Sequence, residues 1–401
     1  MNQRPYAHLE WAVLFLYLLP PLGILWLLGV GLYHLGSKLG HRQVCVLHDA
    51  PLPFFFFTMF LASLGACLHA GKVSYLLISA VSLAYLGLYV YIKEASLTWN
   101  PQRLGFLCTV GGLYIAGVGQ MQLHMGYVYG GNWWFGMLTG LMPLGLEEPG
   151  RLFGSAYNPN FAAFLLLLSF ACLLAHLLQF LIGRRSWPTL LLRSTLLIPI
   201  ALAINQTGSR TGVAVMVCLC VLFLWKISRT LSVWLVLISI ISLVYTGTFI
   251  RIIPRFDSVM QSFETRQIIW KHSLDVWSGQ PLFGVTPLGF ADAYAAFDTS
   301  GIAHAHNLLL ALFCDYGVIG GTSFLFAMMW YIYRALRIFI STGWPVKHIA
   351  LFFFVLPIIP LTGILDHPLS SPQTALLAVI LIGSWDRTLT SFLSLRYINQ
   401  G

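Results

Sequence analysis

Two histidines stand where a polar segment of the sequence meets an apolar run. His304 and His306 are separated by one alanine, and Asn307 follows them. An imidazole can take or give a proton near neutral pH, so His306 is a candidate general base. The simpler interpretation is a histidine at a helix start that bonds to a carbonyl oxygen. His304 and His306 together offer only two ligands, so no metal site is expected here.

Two arginines are positioned to bind an anion. Arg210 follows Ser209 in a short turn between two apolar runs, and Arg266 lies in the polar segment 250–313. An arginine beside apolar segments needs a partner, and its guanidinium group can hold two oxygens of one phosphate. Ser209 and the N–H groups of the next helix start would add donors. The alternative partners are a distant acid such as Asp366 for Arg210, and lipid headgroups for Arg266.

Two further polar groups lie at the ends of apolar runs. Asn158 and Asn160 flank a proline, and either asparagine could cap the helix that starts there. Asp366 and His367 form a second polar pair, in a tight turn before the last apolar run. Capping alone would explain both groups, so they are supporting candidates rather than a separate site.

The elements that hold these residues are predicted to be membrane helices. The 401 residues include 22 Lys or Arg and 13 Asp or Glu, charged residues make up 9%, and hydrophobic residues make up 58%. An ordinary soluble domain carries about 25% charged residues. Together with a mean hydropathy of +0.79, these values exclude a soluble globular enzyme, a disordered chain and a coiled coil. We expect an all-α polytopic integral membrane protein.

The hydropathy pattern predicts about eleven transmembrane helices, or twelve if a further span lies near the N-terminus. The first predicted span contains Pro20 and Pro21 and could be kinked there or re-entrant. The predicted spans are 11–33, 52–70, 73–92, 104–121, 158–182, 189–206, 211–227, 231–249, 314–338, 347–365 and 372–388.

The basic residues sort the loops between these spans. Fourteen of them fall on one side if the spans alternate, and that side is cytoplasmic by the positive-inside rule. Two long segments, 122–157 and 250–313, then become extracytoplasmic loops of a single membrane domain, 1–401. The net charge of +9 thus mainly reflects the basic residues that set the orientation of the protein in the membrane. No basic stripe interleaves with aromatic residues, so nucleic acid is not an expected partner.

The segment 250–313 is long enough to carry structure and function of its own. Apolar residues at helical spacing predict an amphipathic helix over 264–277, lying at the membrane interface. Its apolar positions are Ile268, Ile269, Leu274 and Trp277. Prolines and glycines over 281–290 then predict a turn.

Four motifs resemble those of the bacterial O-antigen ligases and of the wider O-antigen ligase and polymerase superfamily. His306-Asn307, then nine residues, then Gly317-x-x-Gly320 is similar to the pattern of the ligases. The other three motifs are Arg266-x-x-Ile-Trp270 with the Pro281–Phe290 segment, Thr207–Gly212, and Tyr157–Asn160. All four occur in the expected order over residues 150–370.

The resemblance implies a metal-independent inverting glycosyltransferase without a cofactor. Its donor would be an undecaprenyl-diphosphate-linked glycan, and its site would face the periplasm from the bacterial inner membrane. His306 would deprotonate the acceptor hydroxyl, while Arg210, Arg266 and Ser209 would bind the donor diphosphate. The candidate supporting residues are Asn158, Asn160, His304, Asn307, Gly317, Gly320, Asp366 and His367.

Three functions remain open at this point, beside a non-catalytic role as a scaffold for a glycan-export complex, in which Arg210 and His306 would be dispensable. The nine-residue spacing favours a ligase of lipopolysaccharide biosynthesis, whose acceptor is lipid A–core. A polymerase of O-antigen, capsule or exopolysaccharide would use a second lipid-linked glycan as acceptor, and the compact 250–313 segment leaves limited surface for lipid A–core. A transporter of bicarbonate-like anions or of lipid-linked substrates is the alternative from another class. Transporters usually bind at the bilayer midplane, whereas these polar residues gather at the predicted outer edge.

Overall fold

The protein is built from α-helices. The computed structural model describes residues 7–41, 51–94, 100–126, 131–144, 150–182, 187–246, 254–341 and 349–398, and these contain no strand. The helices are α1 (Ala7–Leu18), α2 (Pro20–Gly40), α3 (Pro51–Ala70), α4 (Leu76–Glu94), α5 (Pro101–Met125), α6 (Trp133–Thr139), α7 (Pro159–Ile182), α8 (Trp187–Gln206), α9 (Arg210–Ile227), α10 (Arg229–Thr246), α11 (Val259–Gly279), α12 (Thr286–Tyr294), α13 (Leu308–Ser341), α14 (Ala350–Val355), α15 (Ile358–Gly363) and α16 (Pro372–Ile398).

Among the described residues, 7 helices are long and apolar enough to cross a membrane. They are Pro20–Gly40, Pro51–Ala70, Val73–Glu94, Pro101–Met125, Pro159–Leu181, Arg210–Ile227 and Leu308–Ile338. Shorter apolar helices cover Ala7–Leu18, Leu190–Gln206, Arg229–Ile241 and Ala350–Gly363. Every predicted span contains a helix, so the prediction of an all-α polytopic membrane protein is confirmed. The number of crossings stays a prediction.

The first predicted span, 11–33, is divided in two. Helix α1 ends at Leu18 and α2 begins at Pro20, at the proline pair that predicted a kink. A proline lacks the N–H that would continue the helical hydrogen bonds, so the break falls at this point. Helix α1 has 12 residues, fewer than the about 20 that a crossing needs.

The helices form two compact units. Unit 1 comprises Met1–Gly23, Asn100–Ser262 and Val346–Thr362, and unit 2 comprises Ile24–Trp99, Phe263–Pro345 and Gly363–Gly401. Within unit 1, the almost fully buried α7 packs against α5, α8 and α14. Within unit 2, α3 packs against α4 and α13, and α16 packs against α4.

The segment 250–313, predicted as one extracytoplasmic loop, contains α11 and α12. Helix α11 includes the whole predicted stretch 264–277 and buries Ile269 within unit 2. Ile268 and Leu274 are 52% and 48% exposed, so two of the four predicted apolar positions lie outside the buried face of α11. The position of α11 at a membrane interface stays a prediction, as does the sidedness of 122–157 and 250–313.

Helix α13 begins at Leu308 rather than at 314, and it is broken at Gly317. This residue has φ 61 and ψ −162, a combination that only glycine adopts readily. A Cβ atom at Gly317 would overlap the carbonyl oxygen of Leu282. The break was not predicted from the sequence, where Gly317 was a motif residue without a structural role.

The turn predicted over 281–290 packs against this break. The N–H of Val318 donates to the carbonyl of Pro281 at 2.8 Å, and the N–H of Val285 donates to that of Cys314 at 2.9 Å. Two backbone hydrogen bonds therefore hold the turn on either side of Gly317. The first part of α13, which follows His306, is positioned by α11, α12 and this turn, because Ala311 and Cys314 share a buried cluster with Ile269 and Phe290.

Candidate active site

Four polar side chains predicted from separate motifs meet in unit 2. The Nδ1 atom of His306 lies 3.2 Å from Oδ1 of Asp366, and Nε2 of His304 lies 3.5 Å from the same oxygen. The rings of His304 and His306 are 4.5 Å apart between centroids, and that of His367 lies 5.8 Å from that of His304. Residues 304–306 and 366–367 thus form one cluster, although 60 positions separate His306 from Asp366.

The contact with Asp366 decides which nitrogen of His306 carries the proton. An ionised carboxylate only accepts hydrogen bonds, so the nitrogen that faces it, Nδ1, must be the donor. The lone pair of neutral His306 is then on Nε2, which can accept a proton. Oδ1 of Asp366 also accepts a hydrogen bond from the backbone N–H of His367 at 2.8 Å, which holds the carboxylate in place.

The charges of this cluster are set by its burial and by its internal contacts. Burial alone would raise the pKa of Asp366, but the imidazoles of His304 and His306 outweigh it and hold that pKa well below its usual range. Burial lowers the pKa of His304 and lowers the pKa of His367 to about 3. At neutral pH, Asp366 is therefore ionised, while His304 and His367 are neutral.

The backbone of His306 is strained. Its φ is 47, in the left-handed region that residues other than glycine seldom adopt. The indole Nε1 of Trp270 donates to the carbonyl of His306 at 3.4 Å. Arg266 precedes Trp270 by one turn of α11 and occupies the same helix face. Trp270 belongs to the same predicted motif as Arg266, so this motif contacts the residue predicted as the base within unit 2. Strain of this kind is common at functional sites.

The same cluster has the composition of a metal site. One ligand atom from each of His304, His306 and Asp366 lies within 4.8 Å of the others. The sequence offered two of these ligands, and the fold adds Asp366 as the third. Among the described residues, Nε2 of His304 and Nδ1 of His367 are buried without a hydrogen-bond partner. Nitrogen and oxygen ligands suit Zn²⁺, so the expectation of no metal stays a prediction that a chelator can test.

Three of the predicted supporting residues have structural roles beside the cluster. The side chain of Asn307 accepts from the N–H of Leu310 at 2.9 Å and donates to the carbonyl of Ile364 at 2.8 Å. Asn307 therefore caps α13 and ties it to the segment that carries Asp366. Gly317 allows the break in α13, and Gly320 lies one turn beyond it, where a Cβ atom would overlap the side chain of Tyr316.

Arg210 and Ser209 lie in unit 1, at the start of α9. The Oγ atom of Ser209 accepts from the N–H of Gly212 at 3.1 Å, so Ser209 is the N-cap of this helix. The guanidinium group of Arg210 donates to the carbonyls of Pro254 and Arg255 at 3.1 and 2.6 Å. It also donates to Oγ of Ser258 at 2.6 Å. Arg210 thus joins the predicted motif turn to the segment before α11.

The two asparagines of the 157–160 motif divide their roles. Oδ1 of Asn158 accepts from the N–H of Asn160 at 2.9 Å, so Asn158 caps α7. Oδ1 of Asn160 accepts instead from the guanidinium group of Arg151 at 2.9 Å. Arg151 also donates to the carbonyl of Thr207 at 2.8 Å. Asn160 therefore positions an arginine that the sequence did not single out.

Two arginines beside the Thr207–Arg210 turn were missed in the sequence. Arg151 lies next to the asparagine motif, and Arg255 is the second residue of Pro254-Arg255 before α11. The guanidinium group of Arg255 donates to the carbonyl of Gly208 at 3.0 Å. Proximity in sequence to two predicted motifs was the only signal for these residues, because their convergence depends on the fold.

The fold and the site define a multi-pass membrane protein with a carboxylate–imidazole pair in one unit and an arginine-lined helix start in the other. Residues 195–325 match the sequence model of the family described as O-antigen ligase. The match includes Arg210, Arg266, His306 and the two motif glycines. A search of curated proteins found no match.

This family match confirms the resemblance to the O-antigen ligase and polymerase superfamily. It supports an activity of the ligase or polymerase type, which is a glycosyltransferase-like activity on lipid-linked glycans. Together with the apolar helices, it points to a multi-pass membrane protein.

Proposed function

We propose that the protein is a metal-independent inverting glycosyltransferase of the O-antigen ligase type. It transfers a glycan from an undecaprenyl-diphosphate donor to lipid A–core on the periplasmic face of a bacterial inner membrane. The observation that carries this proposal is the pair of Asp366 and His306, 3.2 Å apart. The pair leaves Nε2 of His306 as proton acceptor, and His306 lies within the segment that matches the ligase family.

The proposed reaction balances with the residues of this chain. The hydroxyl group of the acceptor gives its proton to Nε2 of His306, and its oxygen forms a bond to C1 of the donor sugar. The bond between C1 and the phosphate oxygen breaks, and the leaving undecaprenyl diphosphate takes the electron pair. Attack from the opposite face inverts the configuration at C1.

The two predicted arginines serve the leaving group in this proposal. Negative charge develops on the diphosphate as the bond to C1 breaks, and a guanidinium group stabilises that charge. Arg266 is one helical turn from Trp270, which contacts His306, and Arg210 is at the start of α9, with Ser209 as cap. The assignment of both arginines follows the family motif, whereas the assignment of the base also rests on the geometry of Asp366.

The experiment that tests this function uses the purified full chain. It is incubated with an undecaprenyl-diphosphate glycan and lipid A–core in the presence of EDTA, and product is measured for wild type, His306→Ala and His124→Ala. His124 is an exposed histidine at the end of α5 and serves as the matched control. General-base catalysis contributes about 10²–10⁴-fold, so His306→Ala should lose that factor while His124→Ala keeps full activity. Equal rates for the wild type and His306→Ala would refute the assigned base.

The acceptor separates the ligase from the polymerase. A labelled donor glycan recovered on lipid A–core indicates a ligase. A ladder of lengthening lipid-linked glycan indicates a polymerase that uses a second lipid-linked unit as acceptor. The donor-side chemistry is common to both, so this comparison is independent of the His306 test.

A further inference from the structure

The cluster around Asp366 supplies three ligand atoms at the spacing that one zinc ion requires. Oδ1 of Asp366 lies 3.2 Å from Nδ1 of His306 and 3.5 Å from Nε2 of His304. Ligands that surround a tetrahedral zinc ion at about 2.0–2.1 Å lie about 3.3–3.4 Å from one another. Both distances in the cluster are close to this value, and ligand atoms of all three residues lie within 4.8 Å of one another.

The position of His304 also points to a ligand. Its Nε2 atom faces Asp366 at a distance that is long for a hydrogen bond, and among the described residues this nitrogen is buried without a hydrogen-bond partner. A buried polar atom without a partner destabilises a fold, and a bond to a metal ion would satisfy this one. The side chains of His304 and His306 are 20% and 27% exposed, so the edge of the cluster is open to an ion from solvent.

The types of ligand atom select the metal. Two imidazole nitrogens and one carboxylate oxygen are a ligand set that zinc accepts with its fourth position open. Mg²⁺ and Ca²⁺ prefer six or more ligands, nearly all of them oxygen atoms. The two nitrogen atoms of the cluster therefore favour Zn²⁺ over these two ions.

We propose that His304, His306 and Asp366 form an inhibitory site for Zn²⁺. Zinc on Nδ1 of His306 replaces the proton that this nitrogen donates to Asp366. A neutral imidazole has one proton and one lone pair, so the proton of the ring must then be on Nε2. The proton on Nδ1 passes to solvent, and Nε2 takes one from solvent. In this tautomer, Nε2 cannot accept the proton of the acceptor hydroxyl.

The metal-free protein is then the active form, in agreement with a metal-independent transfer reaction. The inhibitory effect rests on the proposed function, because that function needs the lone pair of Nε2 of His306. The binding of zinc does not rest on it.

Zinc binding to the purified full chain tests the site. The protein is treated with EDTA and then freed of it, and its affinity for Zn²⁺ is measured by titration for the wild type, His304→Ala, Asp366→Asn and His69→Ala. His69 is an exposed histidine in the last turn of α3 and serves as the matched control. The loss of a residue that only orients a ligand costs about 10–100-fold in metal affinity, so the loss of a ligand should cost at least about tenfold.

The control and the other metals sharpen the expected result. His69→Ala should bind zinc like the wild type, and excess Mg²⁺ should not displace the zinc. Co²⁺ accepts the same types of ligand, and its visible absorption reports how it is coordinated. The absorption spectrum of the Co²⁺-loaded wild type should be lost in His304→Ala, although the two metal-free proteins unfold at the same temperature.

Three outcomes would overturn the proposed site. They are no zinc binding to the wild type, wild-type affinity in the folded cluster variants, and an equal loss of affinity in His69→Ala. If His304→Ala does not fold, Asp366→Asn answers the same question, because it keeps the shape of the side chain and removes its charge.

The inhibitory effect is measured as the rate of glycan transfer at increasing Zn²⁺, relative to the zinc-free rate of the same protein. The concentration that halves the rate should rise at least about tenfold in His304→Ala and stay the same in His69→Ala. If zinc binds to the cluster but leaves the transfer rate unchanged, the inhibitory role is refuted. If zinc binds but the zinc-free wild type transfers no glycan, the proposed function fails and the metal site stands. If the wild type transfers glycan but the cluster binds no zinc, the site fails and the function stands.

Discussion

Replacing Asp366 by asparagine isolates the charge that the carboxylate contributes to the base. The carboxamide has the same shape as the carboxylate. It keeps an oxygen that can accept the hydrogen bond from the N–H of His367, which is 2.8 Å long in the wild type. What disappears is the attraction between the carboxylate and the imidazolium that forms when His306 takes the proton. The structure gives 3.2 Å between Oδ1 and Nδ1.

The size of the effect follows from this geometry. Unit charges about 4 Å apart attract by about 4 kcal/mol at an effective dielectric constant of 20. The side chains of Asp366 and His306 are 12% and 27% exposed, so water screens part of this attraction. If water screens half of the attraction, about 2 kcal/mol remains, and its loss corresponds to a decrease of about 30-fold in kcat. Asp366→Asn should therefore be impaired, but less than His306→Ala.

The assay is the initial rate of glycan transfer at saturating donor, with donor binding measured separately. Asp275→Asn provides the control, because Asp275 is a partly exposed acid on α11. We expect Asp366→Asn to lose kcat, to bind donor like the wild type and to unfold at the same temperature. A kcat equal to that of wild type would refute the role of the carboxylate. A loss confined to donor binding would place Asp366 in substrate recognition instead.

Three other outcomes are expected. EDTA should leave the transfer rate unchanged. Added Zn²⁺ should lower the rate, because it would bind the lone pair of His306. Loss of activity with EDTA would contradict the metal-independent mechanism. Gly317→Ala should destabilise the protein by about 2 kcal/mol, because of its φ and ψ values and the overlap with the turn, and so lower the unfolding temperature. Gly117→Ala, where a Cβ meets nothing within 4 Å, is the matched control and should leave that temperature the same or higher. Asn158→Ala should cost about 1 kcal/mol through the lost cap of α7, and an unchanged unfolding temperature would contradict the capping role.

Hydropathy was sufficient to predict the long apolar helices, because a membrane span needs a long apolar run and little else. The kink of the first span followed from Pro20 and Pro21, whose missing N–H groups are a local property. Helix α12 was not predicted, since its first half, 286–290, lies within a stretch that glycine and proline marked as a turn. The break at Gly317 depends on the turn that packs against it, and no local pattern encodes that contact.

The candidate site was predicted in parts. His306, Arg210, Arg266 and the pair Asp366 and His367 were each visible as polar residues at the ends of apolar runs. The sequence considered Asp366 as a partner for Arg210, whereas in the fold it contacts His306. Such pairings join positions far apart in the chain, so they require the packing of the helices. The positions of Arg151 and Arg255 beside Gly208 could not be predicted from the sequence for the same reason.

The break in α13 has a consequence for how the protein tolerates membranes of different thickness. An unbroken helix of 34 residues would be about 51 Å long, well beyond the about 30 Å of a hydrocarbon core. Gly317 divides it, so the part beyond the break has a length closer to the thickness of the hydrocarbon core, which reduces the mismatch with the bilayer. The part before the break packs against α11 and α12, and the 281–285 turn forms hydrogen bonds on both sides of the break. We therefore expect the contact between His306 and Asp366 to change little when the length of the lipid chains changes.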